Sequence, residues 1–91
     1  MSFTCIREIK KANEEAGQHW FSEGAINFFN SKFGRRIYGG RYFISSEAYD
    51  YNAPRRYTIR EAEEDGTVNT VGEFQEFDNH SQALNRIHQM L

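Results

Sequence analysis

Two short segments, Arg41-Tyr42-Phe43-Ile44-Ser45-Ser46 and Arg56-Tyr57-Thr58-Ile59-Arg60-Glu61-Ala62, alternate in character with a period of two. Successive side chains of a strand point to opposite faces. Tyr42 and Ile44 therefore fall on one face, with Arg41, Phe43 and Ser45 on the other. In the second segment Tyr57 and Ile59 oppose Arg56, Thr58 and Arg60. A third β-rich stretch, Thr67 to Phe74, follows a Glu64-Asp65-Gly66 turn of hairpin type. A short additional strand around Ile37-Tyr38 would make a fourth.

Helical patterns flank this region. Phe3, Ile6, Ile9 and Ala16 recur near helical spacing, and Gly17 supplies a stop. Ser22 caps a second, shorter helix ending near Asn30, with Glu23 at the positive end of its dipole and a Phe21/Ile26 staple. Asp78 or Asn79 caps a closing helix whose stripe is Ala83, Leu84, Ile87 and Leu91. The expected fold is one α+β domain over residues 1–91, in the order ααβββα. Its antiparallel sheet has three to four strands, with helices packed on one face. The other face would meet water, and Arg56, Thr58 and Arg60 belong on it.

Ninety-one residues suffice for one core and not for two. Eight Phe, five Tyr and one Trp must supply much of the buried area, because aliphatic residues are few. Apolar runs are too short to span a bilayer, and charges at Arg7, Lys10 and Lys11 interrupt any signal-peptide pattern. The single Cys5 makes no internal disulfide, so a reducing, cytosolic setting is expected.

Charge is divided along the chain. Lys32 to Arg60 holds seven of the 11 basic residues and all five tyrosines, with only Glu47 and Asp50 opposing them, a net of +5. Glu61 to Asp78 carries seven acidic residues and no basic one. Arginine and tyrosine combine large contact area with directional donors, which suits a binding surface. The candidate partner-binding residues are Arg35, Arg36, Arg41, Tyr49, Tyr51, Arg55, Arg56 and Arg60, the two tyrosines lying on the loop Ala48 to Pro54. Tyr42 and Tyr57 read as core. The acidic stretch suits a basic protein partner, mimicry of nucleic-acid phosphates, or a solvated hairpin.

No enzyme, cofactor or metal is expected. Nothing places His19, His80 or His88 beside Cys5, and His80 and His88 stand two helical turns apart. Gly39-Gly40 belongs to no phosphate-binding pattern and reads as a turn or bulge.

Three further segments carry a resemblance: Ile37-Tyr38-Gly39-Gly40-Arg41-Tyr42-Phe43-Ile44-Ser45-Ser46-Glu47, Pro54-Arg55-Arg56-Tyr57-Thr58-Ile59-Arg60 and Thr70-Val71-Gly72-Glu73-Phe74-Gln75. With Trp20-Phe21-Ser22 and Phe28-Phe29-Asn30-Ser31, they resemble a family of small proteins encoded by bacteriophages and other mobile elements. The likeness covers most of residues 18 to 75. It implies a phage or prophage origin and a cytoplasmic site of action in a bacterial host, and brings no catalytic residue with it. By analogy with other small phage proteins, the expected function is a non-enzymatic inhibitor of host defence, of anti-CRISPR or anti-restriction type. Its partner would be a host defence protein or ribonucleoprotein complex, with no membrane role and homodimerisation open. The alternative is a nucleic-acid-binding accessory protein, stacking bases on the Arg/Tyr face.

Overall fold

The computed structural model describes residues 3–28, 30–34, 36–48 and 53–91. Its elements are α1 (Ile6–Glu15), α2 (Glu23–Phe28), β1 (Lys32–Phe33), β2 (Tyr42–Glu47), β3 (Arg56–Ala62), β4 (Val68–Val71) and α3 (His80–Met90). The strands form one antiparallel sheet in the order β1-β2-β3-β4. The domain is therefore α+β, as the alternation predicts. The register sets Ile44 opposite Ile59 and Ser45 opposite Thr58, so each face of β2 meets a face of like character on β3.

The additional strand is not the one expected. It lies at Lys32–Phe33, pairing with Ser46 and Ser45. Tyr38 makes only a single bridge to Tyr42, because the chain reverses between them. Gly39 and Gly40 both have positive φ, 60° and 76°, and the Arg41 amide donates to the Tyr38 carbonyl at 3.2 Å. Both therefore stand in the left-handed region, which glycine adopts without steric cost.

The helix ends follow local chemistry. The Ser22 hydroxyl accepts from the Ala25 amide at 3.3 Å, and Asn79, rather than Asp78, caps α3 by accepting from the Gln82 amide at 2.9 Å. Cys5 occupies the N-cap position of α1 without a side-chain cap; instead the Thr4 amide donates to Glu8 at 2.6 Å. Ala16 and Leu91, expected in apolar stripes, are both exposed because each stands at its helix's end.

Helices cover both sheet faces, not one. On the first face Tyr42, Ile44 and Ile59 pack against Ala83 and Ile87 of α3, flanked by Tyr38, Tyr57 and Val71. On the second, Phe43 and Ala62 pack against Ile9 of α1 and Phe21, flanked by Trp20, Phe33 and Val68. Phe43 is the residue that strand alternation undervalues, an apolar side chain among polar ones. Trp20 and Phe33 meet its ring edge-on, with centroids 6.0 and 6.2 Å away. Full burial of a side chain of this kind contributes roughly 1.5–3 kcal/mol. Such a gain draws the N-terminal segment across the face expected to meet water.

Candidate partner-binding surface

The second face divides along its length. Beyond Phe43 and Ala62 it becomes polar, and its side chains satisfy one another. Glu47, fully buried, accepts from the Ser45 hydroxyl, from the Thr58 hydroxyl at 2.7 Å and from Arg60 Nη2 at 3.4 Å. Arg60 Nε also donates to the Ser45 hydroxyl at 3.0 Å, and its Nη1 donates to the Thr70 hydroxyl. The Gln75 amide donates to Thr58 at 2.8 Å, closing the network from the chain segment after β4. Trp20 and Phe74 stand over the guanidinium, with centroids 5.3 and 5.4 Å from Cζ. Burial holds the Arg60 guanidinium below its ordinary pKa, and the charge and hydrogen bond of Glu47 offset only part of that lowering. Among the described residues no buried side-chain nitrogen or oxygen lacks a hydrogen-bond partner.

Arg60 and Thr58 therefore do not face water, as the alternation alone suggests. Alternation assigns side chains to a face, but cannot show that Trp20 and Phe74 will cover that face. Glu47, Ser45, Thr70 and Gln75 were missed as members of this site. For Glu47 and Ser45 the signal in the sequence is the antiparallel matching of Phe43-Ser45-Glu47 with Arg60-Thr58-Arg56 across the hairpin, a matching that does not reach Thr70 or Gln75.

Three further arginines, Arg41, Arg55 and Arg56, are also engaged. Arg55 Nη1 donates to the carbonyls of Asn30 and Ser46, each at 2.9 Å. Arg56 Nε donates to the Gln75 carbonyl at 2.8 Å, and its Nη1 pairs with Asp78. Arg41 pairs with Glu61 at 3.3 Å and lies over the Tyr42 ring. Arg36 is exposed. Arg35, Tyr49 and Tyr51 lie outside the described residues, so the loop half of the expected surface stays with the sequence reading.

The acidic stretch presents a different picture. Glu63, Glu64 and Asp65 at the β3–β4 turn are exposed, as are Glu73, Glu76 and Asp78 beyond β4. Hydrogen bonds from Thr67, its side chain first and then its backbone N–H, hold the Asp65 carboxyl below its ordinary pKa. The turn itself is anchored: Gly66 has φ +88°, and Asn13 Nδ2 donates to its carbonyl at 2.8 Å. Two concavities lie away from this turn, and among the described residues no acidic side chain lines either. One of about 260 Å³ is lined by Trp20, Phe33, Arg60 and Phe74; the other, about 410 Å³, lies beside Asn30, Lys32 and Arg55.

Cys5 is half-buried. His80 meets the edge of Tyr57 and His88 that of Tyr38, contacts that place both in ordinary packing. Among the described residues no three His, Cys, Asp or Glu side chains are grouped to hold a metal ion. No described helix is long and apolar enough to cross a membrane.

The class defined by these features is a small α+β domain with a four-stranded meander, a buried Glu–Arg network and an acidic hairpin margin. The chain belongs to a family of unknown function (DUF7447), whose model matches residues 5–88. No curated protein and no solved structure matches it.

Proposed function

We propose that this protein is a non-enzymatic binding module, encoded by a phage or other mobile element, that inhibits a bacterial defence complex in the host cytoplasm. It acts by occupying a basic protein surface. One observation carries this reading: Arg41, Arg55, Arg56 and Arg60 direct donors to carboxylates and carbonyls of the fold, whereas Glu63, Asp65, Glu73 and Glu76 are exposed beside β4, with Asp65 and Glu76 accepting from backbone N–H groups a few residues away. This supports a contact made through the acidic block rather than through these four arginines. Complexes that grip nucleic acid do so through Lys- and Arg-lined channels. Carboxylates on a firmly anchored turn complement such a surface and speed the encounter.

Direct nucleic-acid binding draws less support, because four arginines that would neutralise phosphates already have partners. The test is expression in a host with active CRISPR or restriction, with phage plating as the readout. Restored plating is expected, together with no salt-sensitive shift of single- or double-stranded probes by the purified protein. No protection across the common systems sinks the proposal, and a steeply salt-dependent probe shift favours the nucleic-acid reading.

A further inference from the structure

The outer edge of β4 is open. Within the hairpin, the Glu63 amide donates to the Thr67 carbonyl at 2.8 Å, which makes that pair a hydrogen-bonded one. Antiparallel ladders alternate, and the register sets Asn69 opposite Glu61 and Val71 opposite Ile59. Asn69 and Val71 therefore direct their backbone groups toward β3, while Val68 and Thr70 turn N–H and C=O outward. The Ala62 amide bonds to the Arg41 carbonyl on the β2 side at 2.8 Å, consistent with this alternation in β3. Among the described residues no hydrogen bond engages the outward groups of Val68 or Thr70.

Edges of this kind are usually blunted by charges, proline or a covering element. The Val68-Asn69-Thr70-Val71 strand has neither charge nor proline, and Asn69 and Thr70 are exposed. Carboxylates instead stand at both ends, Glu63 and Asp65 before it and Glu73 and Glu76 after it. Two-fold antiparallel pairing with a second copy would bring the acidic turn of one copy against the Glu73/Glu76 end of the other. Like charges meeting at both ends disfavour that arrangement. An extended segment with opposite charges at its ends meets no such conflict.

We propose that β4 accepts an added strand from a partner protein, an uncharged β-forming segment flanked on both sides by lysine or arginine. Backbone groups of Val68 and Thr70 supply the pairing, and the flanking carboxylates select the partner. This rests on the reading of the protein as a module for a basic protein surface and specifies how the contact is made.

The probe is a fluorescein-labelled peptide, Lys-Arg-Val-Thr-Val-Thr-Val-Arg-Lys, titrated with the full chain and followed by anisotropy. Its companions are the same peptide methylated at every central amide nitrogen, and a version with Glu and Asp in place of the basic flanks. The basic peptide is expected to bind; methylation and the acidic flanks should each weaken binding at least about tenfold, as loss of more than one hydrogen bond or of charge complementarity implies. Val68→Pro removes an outward N–H at an edge position where proline is tolerated, and should weaken the basic peptide by a similar factor. If that variant does not fold, the methylated peptide decides. Equal binding of the methylated peptide overturns strand addition and leaves the basic-partner reading standing. Equal binding of the acidic peptide overturns selection by charge. A dimer in sedimentation that Val68→Pro dissociates assigns the edge to a second copy and overturns the proposal. No binding of the basic peptide also overturns it, and the plating assay then reports separately on the broader function.

Discussion

Glu47 and Arg60 meet at 3.4 Å on a diagonal across adjacent strands, their side chains only 1% and 10% exposed, although the register sets Glu47 opposite Arg56 and Arg60 opposite Phe43. Taking such a pair out of water is costly, and the attraction between its members roughly offsets that cost. Removing one partner is another matter, because the other is left charged and buried. Arg60→Ala is therefore expected to destabilise the fold by about 3–5 kcal/mol in urea unfolding. The sequence alone predicts a few tenths, as for an exposed side chain. A loss below about 0.5 kcal/mol means that Glu47 finds water or a proton instead.

Arg56 separates from Arg60 in the same experiment. Its side chain is 40% exposed and its partner Asp78 70% exposed, so the ion pair contributes little. With the bond to the Gln75 carbonyl included, Arg56→Ala should cost about 1 kcal/mol. A cost equal to that of Arg60→Ala would mean that the two arginines belong to one cooperative network.

On the opposite face of β3, Ile59 is fully buried against Ile44, Ala83 and Ile87. Ile59→Ala leaves a cavity there and should cost about 2–5 kcal/mol. Arg36→Ala, at an exposed position, should stay within about 0.5 kcal/mol and serves as the reference. Thermal melts of both variants, beside the plating assay, distinguish loss of fold from loss of contact.

Two glycines give opposite expectations. A Cβ at Gly66 would strike the backbone of Ala12 and Asn13 where α1 meets the β3–β4 turn, and its φ of +88° disfavours other residues. Gly66→Ala should destabilise by more than 1 kcal/mol. Gly24, within α2, has nothing within 4 Å of an added Cβ, so Gly24→Ala should stabilise by about 0.5–1 kcal/mol. Equal and small effects would mean that α1 does not seat against the turn.

The Asp65 carboxyl is held below its ordinary value of 3.8 by Thr67, so the folded state favours the ionised form. Its contribution is present above the unfolded pKa and is lost as the pH falls through the lower folded pKa. Melting temperatures of wild type and Asp65→Asn should thus differ at neutral pH and converge below about pH 3.8. A difference that persists unchanged in acid would assign the effect to hydrogen-bond geometry rather than charge.

Much of the architecture was present in local pattern. Tyr42, Ile44, Tyr57 and Ile59 alternate with a strand's period, Ser22 and Asn79 have short polar side chains that cap helices, and Gly39-Gly40 permits the left-handed turn. These depend on a residue and its near neighbours, which is why they can be read along the chain. Which face of the sheet would be covered depends on residues far apart in sequence. Phe43 recruits Trp20 and Phe33, Gln75 reaches back to Thr58, and Arg60 lies between Trp20 and Phe74. Composition showed that basic and acidic residues were segregated. Only tertiary packing decided that Arg41, Arg55, Arg56 and Arg60 would meet carboxylates and carbonyls within the fold while the acidic margin of β4 stayed exposed, because a charge's availability depends on what the folded chain sets beside it.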